Sequence, residues 1–274
     1  MTSKPLPAEG DVDLAVLVAT ARAECPDKRT LPISLPDGGG AWLKVAQSAE
    51  VNRWHRLQLF LARLCNNPFL LPTVASQGAS SLLGEARRIR KLAGSGFPVP
   101  IIIAEGADWL LLADSGYPAT TVLRDETHSR QSRKKQLQSI SELLAKMHQQ
   151  GCWHGRPALK DVLCRDDKVT LCDFEEDVGA HLSQLQCQVR DALIYGHSLF
   201  RVFCRTDPEM ARYGLKVYWN LAPLSVKNAI AEKVASMDVF LGLDVLLGKH
   251  LGGDALAVFM SFRYFNQLQR PLVV

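Results

Sequence analysis

The hydrophobic period of this chain changes partway along, and that change limits its fold more than any other feature. Up to about Asp114 the apolar residues fall in short runs at 30–35, 41–46, 100–104 and 109–113, bounded by Gly and Pro. Runs of that length and punctuation predict strands. Pro36-Asp37-Gly38-Gly39-Gly40 between the first two predicts a hairpin turn. Short helices are expected at 13–24 and 83–93. From about Glu126 the period becomes helical: residues 129–150 carry Leu137, Ile140, Leu144 and Met147 on one face, and Gly151 ends the run. A second hairpin, 162–164 with 169–172, precedes predicted helices over 182–203 and 215–269. Strands first and helices after imply an α+β chain in two lobes, a small β-rich one over 1–114 and a helical one over 115–274.

Composition removes other classes. With 47% hydrophobic and 22% charged residues the chain is neither disordered, collagenous nor coiled-coil. A formal charge of +4 suits an anionic ligand or membrane surface but is too small to imply nucleic-acid binding. Seven cysteines without a C-x-x-C pair predict neither a disulfide framework nor a zinc ribbon, and fit buried thiols in a reducing compartment. No secretory leader and no run of about 18 apolar residues is visible, so a cytoplasmic chain without a spanning helix is expected. Residues 51–71 are amphipathic, with Trp54, Leu57, Leu61 and Leu64 on one face, Phe60 beside them, and Arg53, Arg56 and Arg63 supplying charge. That pattern fits a helix lying on an anionic membrane or one packed on the small lobe.

The chemistry concentrates in residues 152–179, C-W-H-G-R-P-A-L-K-D-V-L-C-R-D-D-K-V-T-L-C-D-F-E-E-D-V-G. Phosphoryl transfer needs oxygen ligands for Mg²⁺, a strand lysine for phosphate oxygens, and an acid that fixes that lysine. Candidates for each occur in the order of protein kinases. Lys44 lies on the second strand and Glu85 on the following helix. Asp114 ends the last strand of the small lobe, where a hinge would hold adenine. His154 opens a loop, Asp161 follows seven residues later, and Asp173-Phe174-Glu175 stands where kinases have Asp-Phe-Gly. Asp191, on the next helix, is placed to brace the loop through its backbone amides.

Taken with Leu143-Leu144-Ala145-Lys146-Met147-His148, Glu85-Ala86-Arg87-Arg88 and Pro98-Val99-Pro100, these motifs resemble the bacterial lipopolysaccharide-kinase family. Its members are kinase-fold proteins related to the heptose and Kdo kinases of lipopolysaccharide core assembly and to small atypical kinases of tRNA modification. The resemblance covers residues 31–191. It implies a bilobal protein-kinase-like fold using ATP and Mg²⁺, with Lys44 and Glu85 at the phosphates and Asp114 beside the nucleotide. Asp161 and Asp173 would be the metal ligands and catalytic groups, with His154 and Arg156 in the catalytic loop. The implied acceptor is a sugar or glycolipid hydroxyl at the cytoplasmic face of an anionic inner membrane, and no nucleic-acid partner is expected.

The departures from the kinase pattern are informative. Arg156 stands where the pattern H-R-D has its proton-accepting Asp, and a guanidinium cannot accept a proton at neutral pH. Asp161 replaces the metal-binding Asn. Gly38-Gly39-Gly40 lies too close to Lys44 to cover phosphates, and residues 1–37 hold no G-x-G-x-x-G. Two alternatives follow: a phosphotransferase with an unconventional site, or a pseudokinase that keeps the fold as a binding or scaffold module. Arg156 either contacts phosphate or plugs the site by pairing with Asp173. Glu85 either holds Lys44 or pairs with arginines on its own helix. His154 is expected to hold the loop against the Asp173 region.

Overall fold

The computed structural model describes residues 14–46, 78–176, 178–235 and 252–269. Alternation decides the small part. In β1 (Thr30–Ser34) and β2 (Gly40–Val45) every second side chain is buried, so Leu31, Ile33, Ala41, Leu43 and Val45 share one face. Leu111 of β4 (Trp109–Ala113) joins them, and helix α1 (Leu14–Glu24) covers the cluster through Val18. With β3 (Ile102–Glu105) the strands form an antiparallel sheet in the order β1-β2-β4-β3. The β1–β2 turn is the expected hairpin: Gly38 has φ 81°, and the Gly39 amide donates to the Asp37 carboxylate at 2.8 Å.

The opposite face of the sheet presents Trp42, Lys44, Leu110 and Leu112. Helix α2 (Ala79–Gly94) packs against this side through Leu82, Ala86, Ile89 and Leu92. Those residues belong to one continuous core that runs into the helical part, so the two parts share a packed boundary. Helix α2 starts four residues before the expected start, directly after Gly78. Strand β3 begins at Ile102 rather than at 100, since Pro100 has no N–H for the ladder.

Residues 114–125, the transition in the sequence, hold a two-residue strand β5 (Tyr117–Pro118) and a short helix α3 (Ala119–Arg124). Helix α4 (Arg130–Gln149) follows, its first turn capped by the Ser129 hydroxyl. Gly151, at φ 74°, turns the chain away afterwards. The hairpin β6 (Val162–Arg165) and β7 (Lys168–Leu171) adds to β5 as a three-stranded sheet. Helices α5 (Gln184–Phe203), α6 (Pro208–Leu221), α7 (Leu224–Ala235) and α8 (Gly253–Gln269) complete the fold. Helix α6 begins seven residues earlier than expected because Asp207 caps it and Pro208 sits in its first turn.

The architecture is α+β, a small antiparallel sheet followed by a helical remainder. The six cysteines among the described residues are free thiols. No described helix is long and apolar enough to cross a membrane. The amphipathic stretch 51–71 and residues 1–13 lie outside the described residues.

Candidate functional site

Hairpin register creates the site. Val162 pairs with Leu171, and the Cys172 amide donates to the Asp161 carbonyl at 3.1 Å, so Asp161 and Asp173 leave the same end of the hairpin side by side. Asp173 takes a left-handed backbone, φ 66°, which turns Phe174 inward. Phe174 is buried against the His154 ring, centroids 4.7 Å apart, and under the Arg88 guanidinium. His154 accepts the Arg156 backbone N–H at Nδ1, so the ring proton sits on Nε2, which is buried without a hydrogen-bond partner. Burial pushes this imidazole down to about 4, and Asp191 only partly opposes that shift. The ring, placed from the sequence among the catalytic-loop groups, is fully buried against Phe174.

Asp191, fully buried on α5, braces the loop. Its carboxylate accepts the backbone N–H groups of His154 at 2.5 Å and Gly155 at 2.8 Å. It also meets His148 Nε2 at 3.4 Å, while His148 Nδ1 bonds the Tyr218 hydroxyl at 2.8 Å. His148 is therefore a helix-packing residue.

Lys44 reaches across the boundary between the two parts. Its Nζ donates to Glu85 at 2.7 Å, to Asp173 at 3.2 Å and to Glu175 at 3.4 Å. Burial alone would lower the ammonium, but the three carboxylates outweigh it and hold the group above its usual range. Glu85 is fully buried, and the same oxygen that accepts Lys44 accepts the Phe174 amide at 3.3 Å. The helix arginines are not its partners. Burial pushes the Glu85 carboxyl above its usual range, against the pull of Lys44.

Arg156 is paired with the carboxylates around it. Its guanidinium hydrogen-bonds the Asp173 carboxylate and lies 3.4 Å from both Asp161 and Glu176. Burial alone would raise Asp173, yet Lys44 and Arg156 hold it below the usual carboxylate range; burial dominates at Asp161 and pushes it up. Two carboxylates are the right donors for Mg²⁺, but Asp173 gives Oδ1 to Lys44 and Oδ2 to Arg156. Asp161 Oδ2 and Glu85 Oε2 are buried with no hydrogen bond. As arranged, the pair does not fit a divalent ion, because cations take both Asp173 oxygens and the Arg156 guanidinium also reaches Asp161. Among the described residues no group of three or more His, Cys, Asp or Glu side chains is placed to hold one.

Asp114 is at the predicted place, the end of β4, but its side chain is committed to structure. It accepts the Trp42 indole N–H at 3.3 Å, the Gly116 amide at 3.0 Å and Arg165 at 2.5 Å. Although burial opposes it, these donors hold the carboxyl below its usual range. Trp42, two residues before Lys44 on the same face, thus reaches across to Asp114 at the end of β4. Among the described residues no strand precedes β1; α1 stands there.

Three further residues escaped the sequence reading. Arg88 donates to four backbone carbonyls, Phe174 at 3.2 Å, Glu176 at 2.7 Å, Trp153 at 3.2 Å and His154 at 2.8 Å, tying α2 to both loops of the helical part. Arg190, buried on α5, holds the Gly155 carbonyl and meets Glu176 at 3.2 Å. Arg29 pairs with Glu175 at 2.5 Å. The available signals were spacing on α2, where Arg88 is one turn past Glu85, and strand alternation, which puts Trp42 beside Lys44.

A strand lysine paired with a helix glutamate, an Asp-Phe after a hairpin, and a helix aspartate gripping loop amides reproduce the arrangement of a protein-kinase-like fold. Among solved structures the chain is similar to the pseudokinase domain of BIR2, an immune regulator of the RLK/Pelle family (13% identity, 97% of this chain and 86% of that one, TM-score 0.43). It is also similar to the macrolide 2′-phosphotransferase MphH from Brachybacterium faecium (13% identity, 90% and 97% covered, TM-score 0.42). The map kinase LMAMPK10 from Leishmania major is a third (15% identity, 95% and 89% covered, TM-score 0.37). No family model and no curated protein sequence matches the chain.

Proposed function

We propose that this chain is a pseudokinase-type module, a kinase-like fold that acts by binding rather than by phosphoryl transfer. One observation carries the reading: the Arg156 guanidinium takes an oxygen of Asp173 and lies 3.4 Å from Asp161, against both carboxylates that would hold a metal. In a kinase a divalent ion there would neutralise charge on the transferred phosphate. Here Lys44 and Arg156 neutralise the carboxylates internally, and no proton acceptor stands two residues after His154.

The test is a thermal shift. Wild-type protein is expected to show no shift with millimolar Mg²⁺-ATP, whereas Arg156→Ala, which frees both carboxylates, gains a Mg²⁺-dependent shift of a few degrees. A Mg²⁺-dependent shift in the wild type, removed by Asp173→Asn, would overturn the reading.

A second reading is favoured by one specific observation, the intact Lys44–Glu85 pair at 2.7 Å, which a pure scaffold does not require. On that reading the chain is a phosphotransferase for a sugar or glycolipid hydroxyl at the inner membrane face, using ATP and Mg²⁺, with Arg156 swinging onto the transferred phosphate. Steady production of ADP by the wild type that depends on a glycolipid acceptor, and stops with Lys44→Met, supports it over the first.

A further inference from the structure

Glu175, next after the Asp-Phe pair, turns back into the cleft, and its side chain is only 11% exposed. Its two carboxylate oxygens go to two cations of the small part. Oε1 accepts Lys44 Nζ at 3.4 Å, and Oε2 meets the Arg29 guanidinium at 2.5 Å. The sheet places those cations together. Thr30 pairs with Lys44 across β1 and β2, and the Val45 amide donates to the Arg29 carbonyl at 2.8 Å. Arg29 is 45% exposed and Lys44 14%, so the pair runs from the rim of the cleft to its interior. Both bonds of Glu175 therefore cross from the helical part to the small part.

An ammonium has three donors, and here three carboxylates share them: Glu85, Asp173 and Glu175. Two of these are also held elsewhere. Glu85 accepts the Phe174 amide, and Asp173 is bound by Arg156. Glu175 instead stands where the strand lysine of a kinase-like cleft would meet phosphate oxygens. We infer that Glu175 makes an autoinhibitory contact, its carboxylate being a tethered anion that occupies Lys44 and Arg29 against an external oligophosphate. The inference rests on the reading of the cleft as neutralised from within: Arg156 meets the metal carboxylates, and Glu175 meets the cations. A group tethered on a short segment faces its partners at an effective concentration of roughly millimolar or more, so a dilute free anion does not displace it.

The probe is inorganic pyrophosphate in metal-free buffer, titrated into the whole chain by calorimetry. Wild type is expected to show no binding tighter than roughly millimolar. Glu175→Ala is expected to bind at least about tenfold more tightly, since the site no longer spends its time occupied. Adding Arg29→Met to that variant removes the gain. Glu175→Gln keeps the shape without the charge; it serves should Glu175→Ala fail to fold, and its affinity is expected to change in the same direction. A folded Glu175 variant that binds no more tightly than wild type, or a gain that survives the loss of Arg29, would overturn the inference. The outcome is separable from that of the Mg²⁺-ATP thermal shift, because pyrophosphate without metal asks nothing of Asp161 and carries no purine.

Discussion

Arg156 and Asp191 show how one side chain can set the character of a cleft. Asp191 is buried and binds two consecutive backbone amides, so its loss strands both donors away from water. Asp191→Ala is expected to cost roughly 2–4 kcal/mol in urea unfolding, whereas an exposed carboxylate such as Glu126 should cost almost nothing. Gly155 has a comparable constraint for a different reason. Its φ is 98°, and an added Cβ would lie 2.9 Å from the Glu176 carbonyl and 3.3 Å from the Arg88 guanidinium. Gly155→Ala therefore both strains the backbone and pushes against the clamp. It should lower the melting temperature more than Gly84→Ala, whose Cβ meets nothing within 4 Å.

Among the helices, packing is close enough that single methyl groups matter. Helix α6 lies on α4 with Gly214 against Leu137, and a Cβ at 214 would come within 3.0 Å of the leucine side chain. Gly214→Ala is expected to destabilise by about 1–3 kcal/mol despite its better helix propensity, measured by denaturant midpoint. Helix α2 is held differently. Its apolar face belongs to the shared core, but its angle to the loops is set by the four carbonyl bonds of Arg88. Arg88→Met keeps much of the apolar stem and loses all of those bonds. Hydrogen exchange should then speed up at Phe174 and Gly155 while the amides of α5 and α6 keep their protection.

Across the molecule as a whole, buried charge makes stability depend on pH. The His154 ring is pushed down to about 4 in the fold, against an ordinary value near 6.5 in the unfolded chain. Between these values the unfolded state carries the extra proton, so stability falls as pH drops from 6.5 towards 4 and is flat in this group above 6.5. The slope from this residue is about 1.4 kcal/mol per pH unit, and His154→Phe, stacked in the same place, should remove it from melting curves between pH 4 and 6.5. Asp161 acts in the opposite sense. Its carboxyl is raised by burial, so the native state keeps a proton above the usual carboxylate range and loses stability as pH climbs through that window.

Much of this was readable in one dimension, because local rules operate over a few residues. Period-two alternation marked β1 and β2, a short apolar run marked β4, a glycine ended α4, and the hairpin at 162–172 followed from two short apolar runs around Asp166-Asp167. The hairpin in turn made it legible that Asp161 and Asp173 would meet, since pairing brings its two ends together. Lys44 with Glu85, and Asp191 with the loop amides, were legible from their order along the kinase pattern. The state of the cleft was not. Whether Arg156 faces a ligand or Asp173, whether Trp42 reaches Asp114, and which carbonyls Arg88 binds all depend on distances between segments far apart in the chain. Hydrogen bonds and ion pairs act over a few ångströms in three dimensions, and sequence spacing does not encode the approach of one loop to another. Chain order therefore named the charged groups, and packing chose their partners.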